Sequence, residues 1–177
     1  ALKQQAAANH LTPSVLLATV FAEVLGRWSR GDRFTLNLTL FNRHNVHADV
    51  DKLVGDFTSL LLLEVDQTIP GSIRERAERL QQQLRQDLKH RQVSGVRVMR
   101  EPGAKGNGFP VVFTSAVGMA DHDDAGDGID TSWLGEQAYS ISQTPQVWLD
   151  HQVTEVQGSL QFSWDVVEGL FPDGMIE

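Results

Sequence analysis

Cysteine is absent from this 177-residue chain. That excludes a disulfide framework, a thiolate metal site and a nucleophilic thiol of the chain's own. Basic residues are scarce, with 15 Lys and Arg against 23 Asp and Glu, so the formal net charge is −8. A chain whose main task is neutralising phosphates carries the opposite balance, and nucleic-acid binding is excluded as the principal role. Long apolar runs are also lacking. The longest near the N-terminus, Val15 to Leu25, contains Thr19 and Glu23 and is too short and too polar to span a bilayer. Ala1 to Gln5 show none of the features of a signal peptide. The expectation is a cytoplasmic chain with no membrane partner. What remains, 41% apolar and 21% charged residues, is the composition of an ordinary globular protein with enough length for a real core.

Both ends look cut. The chain starts inside an Ala- and Gln-rich helix, Leu2 to Ala8, and stops just after the turn signal Asp173-Gly174. Thr12-Pro13 opens a second helix, with Thr12 as cap and Pro13 at the first helical position, where a missing N–H costs nothing. Leu16, Val20 and Val24 form its stripe, and Gly31 ends it. Arg33 to Phe41 alternates: Phe34, Leu36, Leu38 and Leu40 face one way, Thr35, Asn37 and Thr39 the other. Phe57 to Val65 is so uniformly apolar that a central strand is expected. Ser72-Ile73-Arg74-Glu75 is a capping box that opens a long amphipathic helix fading by Gly95. Strands are then expected at Val111–Val117, Ala138–Ser142, Val147–Val156 and Leu160–Trp164. This order predicts an α/β fold, a two-layer sandwich of one mixed β-sheet with helices packed against it.

Most short constellations lead nowhere. The acidic loop Asp121 to Asp130 lacks the calcium ligands an EF-hand requires at its fifth and twelfth positions, where Ala125 and Ser132 stand. The histidines are scattered, without a zinc-binding pair. His47 and Asp51 share the His-x-x-x-Asp spacing of acyltransferases, but without a second His or a following Gly. Gly103 to Gly108 resembles a phosphate loop only in its glycines, and the arginines of the long helix are interleaved with acids as on a solvated face. Three polar groups inside apolar strands stand out instead: Asn37, Thr114 and Asp150. An ionised carboxylate beside Trp148 and Leu149 is costly unless it is paired or lies in a wet cleft. An edge or solvent-facing position is the alternative.

Three longer strings carry a resemblance. Gly55-Asp56-Phe57-Thr58-Ser59-Leu60-Leu61-Leu62-Leu63, Pro110-Val111-Val112-Phe113-Thr114-Ser115 and Ser142-Gln143-Thr144-Pro145-Gln146-Val147-Trp148-Leu149-Asp150 occur in this order, with Trp164-Asp165 downstream. The Thr12-Pro13 helix ending near Trp28 adds a fourth. Together they resemble the GDFTxLxLL, PVVFTS, SQTPQVxLD and (T/S)P…LxxW motifs of heterocyclization domains in nonribosomal peptide synthetases. The family's earlier motifs, including DxxxxD, belong to its N-terminal lobe and do not occur here.

The resemblance implies the C-terminal lobe of a condensation-type domain with a chloramphenicol-acetyltransferase-like fold, the N-terminal lobe and final helix lying outside this chain. It implies condensation of a carrier-bound acyl or peptidyl thioester with carrier-bound Cys, Ser or Thr, then cyclodehydration to a thiazoline or oxazoline. The implied partners are the N-terminal lobe, upstream and downstream peptidyl carrier domains and an adenylation domain. Substrates would ride on 4'-phosphopantetheine, with no cofactor bound by this lobe. Asp150 would be the catalytic acid and base, and Thr114 would orient that carboxylate or the substrate. Asn37 and Gln143 would hold the amide carbonyl or the hemiaminal. Asp56 and Thr58 are expected to be structural, Asp56 clamping the turn before its strand, and His47 and Asp51 are not the catalytic pair. The alternatives are a docking lobe without chemistry, or an acyltransferase or condensation lobe of the same fold.

Overall fold

Local signals set the helices. In the computed structural model, which describes residues 1–177 apart from 102–108, 118–134, 136–137, 140–143, 145, 157 and 177, α1 spans Leu2–Ala8 and α2 Pro13–Trp28. Thr12 caps α2, its hydroxyl accepting from the Val15 N–H at 3.3 Å. The long helix α3, Ile73–Asp87, opens on the expected capping box: Ser72 Oγ accepts from the Glu75 N–H, and Glu75 Oε2 accepts from the Ser72 N–H at 2.7 Å. These bonds hold the exposed Glu75 carboxyl below its ordinary pKa.

Two side chains of α3 reach back to the N-terminal helices. Arg76 Nη1 donates to both oxygens of Glu23, at 2.6 and 2.7 Å. Gln81, buried, spans the α1–α2 corner: its Oε1 accepts from Thr12 N at 2.8 Å and its Nε2 donates to His10 O at 2.7 Å. His10 has a positive φ of 57°, so the chain turns sharply there. The amide satisfies two backbone groups that no helix can serve.

Five strands are described: β1 Arg33–Phe41, β2 Thr58–Asp66, β3 Val111–Ser115, β4 Leu149–Val156 and β5 Ser159–Val166. They form one sheet in the order β2-β1-β3-β4-β5. The inner pairs β1–β3 and β3–β4 are parallel, and the outer pairs β1–β2 and β4–β5 antiparallel. The sheet is thus mixed, as the sequence predicts. Leu36, Leu38, Leu61, Leu63, Phe113, Leu149 and Val153 meet Val15, Ala18, Phe21 and Ala22 of α2 and Leu80 of α3 in the core. Leu36, Leu63 and Val153 are fully buried, and full burial of a side chain of this kind stabilises by about 1.5–3 kcal/mol.

The structure departs from expectation at β2, which among the described strands is an edge strand rather than a central one. Its uniform apolarity has a different cause. Leu61, Leu63 and Val65 pack on the helices, while a short unanticipated helix, α4 (Gly95–Met99), lies against the other face. A Cβ built on Gly95 would sit 3.1 Å from both Leu60 O and Leu62 Cγ, so a larger residue would push α4 and the strand apart by a few tenths of an ångström. Covering both faces demands apolar residues wherever the strand sits in the order. β3 ends at Ser115, and β4 begins at Leu149 rather than Val147, because the Trp148 and Leu149 N–H groups both turn to Pro110 O. The expected strand Ala138–Ser142 lies largely outside the described residues, and Ala138 and Tyr139 are not in a strand. The acidic loop and the Gly103–Gly108 segment also lie outside them.

Candidate active site

Alternation along β1 and the pairing register build a polar face on the side of the sheet away from α2 and α3. Leu62, Asn37, Val112, Asp150 and Asp165 fall in one row across the five strands. Its centre is closed to solvent: Asn37 is 4% exposed, Val112 6% and Asp150 7%. β4 is an inner strand, so the edge and solvent-facing alternatives for Asp150 do not hold. The next row holds Thr39, Thr114 and Gln152, all half-buried. The face therefore has a buried floor and a more open, hydroxyl- and amide-bearing rim.

The hydrogen bonds assign partners. Gln152 Nε2 donates to Asp150 Oδ2 at 3.0 Å and lies 3.5 Å from Asp165 Oδ2. Thr114 Oγ1 donates to Thr39 Oγ1 at 2.8 Å. A hydroxyl has one proton, and here Thr114 gives it to Thr39, while among the described residues Gln152 donates to the carboxylate. Asn37 Oδ1 is buried and, among the described residues, has no hydrogen-bond partner. Leaving such an acceptor unmet costs about 1–3 kcal/mol, so the group calls for an explanation, and a water or a bound group that completes it is one. The structure therefore brings Asn37, Thr114 and Asp150 to one face. Gln143 lies outside the described residues.

Gln152 and Thr39 are not picked out in the sequence, and Asp165 is visible there only as part of a string. A period-two step from Asp150 and from Asn37 reaches the first two.

Beneath the floor, His151 points to the opposite face and stacks on Phe21, centroids 4.4 Å apart. The Trp164 indole N–H donates to His151 Nδ1, which places the imidazole proton on Nε2. Burial among these rings pushes the His151 pKa down to about 4. His151 is thus a neutral packing group that ties β4 to β5 directly under the Asp150–Asp165 pair.

The loop between β1 and β2 is held by local contacts. Asp56 Oδ1 accepts from the Thr58 N–H at 2.8 Å, and its bonds to Thr58 hold the carboxyl below its ordinary pKa. Arg43 lies 3.9 Å from the Phe57 ring centroid and donates to Val50 O and Leu53 O at 2.5 and 3.0 Å, bracing the loop between β1 and β2. His47 is exposed in that loop, and its Nδ1 accepts from the Asp49 N–H at 3.1 Å. Among the described residues, no three His, Cys, Asp or Glu are grouped to hold a metal.

A family model described as "Condensation domain" matches residues 1–177. Phenyloxazoline synthase MbtB of Mycobacterium tuberculosis (strain ATCC 25618 / H37Rv) is 46% identical over 182 residues, covering 100% of this chain and 12% of that protein. Pyochelin synthetase PchF of Pseudomonas aeruginosa (strain UCBPP-PA14) is 44% identical over 181 residues, covering 100% of this chain and 10% of that protein. This chain thus spans about a tenth of the length of these relatives. Among solved structures, the EpoB NRPS cyclization-docking bidomain from Sorangium cellulosum is similar over 97% of this chain and 35% of its own, with a TM-score of 0.78 and 42% identity.

Proposed function

This chain belongs to the condensation-domain family, and we propose that it forms the C-terminal lobe of a heterocyclization domain within a nonribosomal peptide synthetase. The fold is the chloramphenicol-acetyltransferase-like one of that family. Support for the narrower assignment comes from the GDFT, PVVFTS and SQTPQVWLD strings, and from relatives named for a phenyloxazoline and for pyochelin. The observation that carries it is the buried row Asn37–Val112–Asp150. A lobe that only docked carriers would have no use for a buried carboxylate in one row with an orphaned amide oxygen.

In this reading, an acyl or peptidyl thioester on an upstream carrier first acylates the amine of Cys, Ser or Thr on a downstream carrier. The side-chain hydroxyl or thiol then attacks the new amide carbonyl. Asp150 takes the nucleophile's proton as the ring bond forms, and delivers it to the former carbonyl oxygen, giving a cyclic hemiaminal. For dehydration it takes the N–H proton and gives it to the departing hydroxyl. The nitrogen lone pair closes the C=N bond, and one water leaves. One carboxylate alternating between base and acid serves both steps.

Asn37 Oδ1 accepts a hydrogen bond from the hemiaminal hydroxyl or its N–H. Thr114, with its proton partner Thr39, positions the substrate at the rim, and Gln143 completes the set. Substrates arrive on 4'-phosphopantetheine arms of the two carrier domains, beside an adenylation domain and an N-terminal lobe that closes the site. This lobe holds no cofactor of its own and works in the cytoplasm. Mass spectrometry of carrier-bound products tests the assignment. The intact synthetase should yield a product one water lighter than the amide, and Asp150→Ala should halt at the amide.

A further inference from the structure

Asp150 and Asp165 are register partners across the antiparallel pair β4–β5, on the same face of the sheet. Two carboxylates directly opposite each other repel, so this arrangement needs a reason. Gln152, two residues along β4, supplies a link. Its Nε2 is 3.0 Å from Asp150 Oδ2 and 3.5 Å from Asp165 Oδ2, and an amide NH2 carries one proton for each. The inner carboxylate is buried and the outer one half-buried. The neighbouring register pair, His151 with Trp164, is bonded on the opposite face, so the two strands are clamped from both sides at this point.

We propose that Asp165 and Gln152 are positioning residues for cyclodehydration, which set Asp150 to release and regain a proton in the same reaction. The proposal rests on the heterocyclization assignment. Gln152 donates to the carboxylate and favours its charged form, while the charge of Asp165 across the strand favours the protonated form. The two influences oppose each other on one group. Asp150 is otherwise faced by Val112 and Thr114 of β3 and Asn37 of β1. Among the described residues, Asp165 is the charged residue in its own row, and Glu64 of an adjoining row stands on β2, three strands away. Asp165 also fixes the amide orientation of Gln152, since a carboxylate accepts only from the NH2 side.

The test is the ratio of heterocycle to uncyclised amide, measured against pH in the intact synthetase. Asp165→Asn should move the limb of the profile governed by Asp150 to lower pH by about one pH unit. Gln152→Met should move it to higher pH, and Asp165→Glu should restore the original position. A folded Asp165→Asn protein, judged by circular dichroism and melting, whose profile does not move would overturn the proposal. Asp165→Ser serves the same purpose if the Asn variant does not fold. Asp150→Ala separates the two levels: continued heterocycle formation there sinks the heterocyclization assignment itself. Loss of heterocycle in Asp150→Ala, with unmoved profiles in the other variants, sinks only this proposal.

Discussion

Asn37 and Asp150 stand in one row of the sheet with Val112 between them, both buried on the face turned away from α2 and α3. Asn37 Oδ1 has no partner among the described residues, so its desolvation is unrewarded in the resting protein. Asn37→Leu should slow heterocycle formation about tenfold, the equivalent of one lost hydrogen bond. It should leave the melting temperature of the domain unchanged or higher, because an apolar group replaces an unmet acceptor. Product analysis and a thermal melt on the same preparation check both halves. A melting temperature that falls together with the rate would make Asn37 a structural residue.

Thr114 gives its proton to Thr39 at 2.8 Å across the β1–β3 seam. Thr114→Val keeps the shape and removes the hydroxyl. Cyclodehydration should drop about tenfold or more while stability changes by less than about 1.5 kcal/mol. Thr39→Val should have a weaker effect in the same direction, since it frees the Thr114 hydroxyl without deleting it. A denaturant titration distinguishes this from a core threonine, whose loss would appear mainly as a lowered midpoint.

His151 is buried neutral with its pKa pushed down to about 4 from an ordinary value of 6.5. Between these values the unfolded chain binds a proton that the folded one refuses, so stability rises with pH across that window. The His151 contribution is complete above about 6.5, declines as pH falls, and is gone below about 4. Melting temperature measured from pH 7 to pH 4 should fall, and His151→Leu should flatten part of that slope. Trp164 fluorescence gives a local readout, because protonation of Nδ1 removes the acceptor of its indole N–H.

Gln81 replaces two backbone partners at the α1–α2 corner. Gln81→Leu leaves the Thr12 N–H and the His10 carbonyl unmet and should cost about 1–3 kcal/mol. A shift of the denaturant midpoint without a change in product ratio is the expected result, because the corner lies on the helix-covered side of the sheet, opposite the polar face.

Much of this fold is legible in the sequence where the signal is local. The Ser72–Glu75 box, the Thr12 cap and the alternation of Arg33–Phe41 each concern a few consecutive residues, and each appears as expected. The place of β2 does not follow from such signals. Its apolar run records that both faces are covered, and only the packing of Gly95 on Leu60 and Leu62 shows that a short helix covers one of them. The site follows the same division. Asp150, Thr114 and Asn37 stand out as polar residues in apolar strands, but their shared face depends on strand order and register. Gln152 escapes notice because a glutamine in a half-polar strand is unremarkable until its amide is found against a buried carboxylate.

The central claim is that Asp150 is the proton carrier of cyclodehydration. It is tested most directly by Asp150→Asn in the intact synthetase, with carrier-bound products read by mass spectrometry. This variant keeps the size of the side chain and removes its acid–base capacity. The account predicts a loss of heterocycle of about a hundredfold or more, the usual weight of a positioned acid or base, with the uncyclised amide accumulating in its place. Heterocycle formed at the wild-type rate would contradict it.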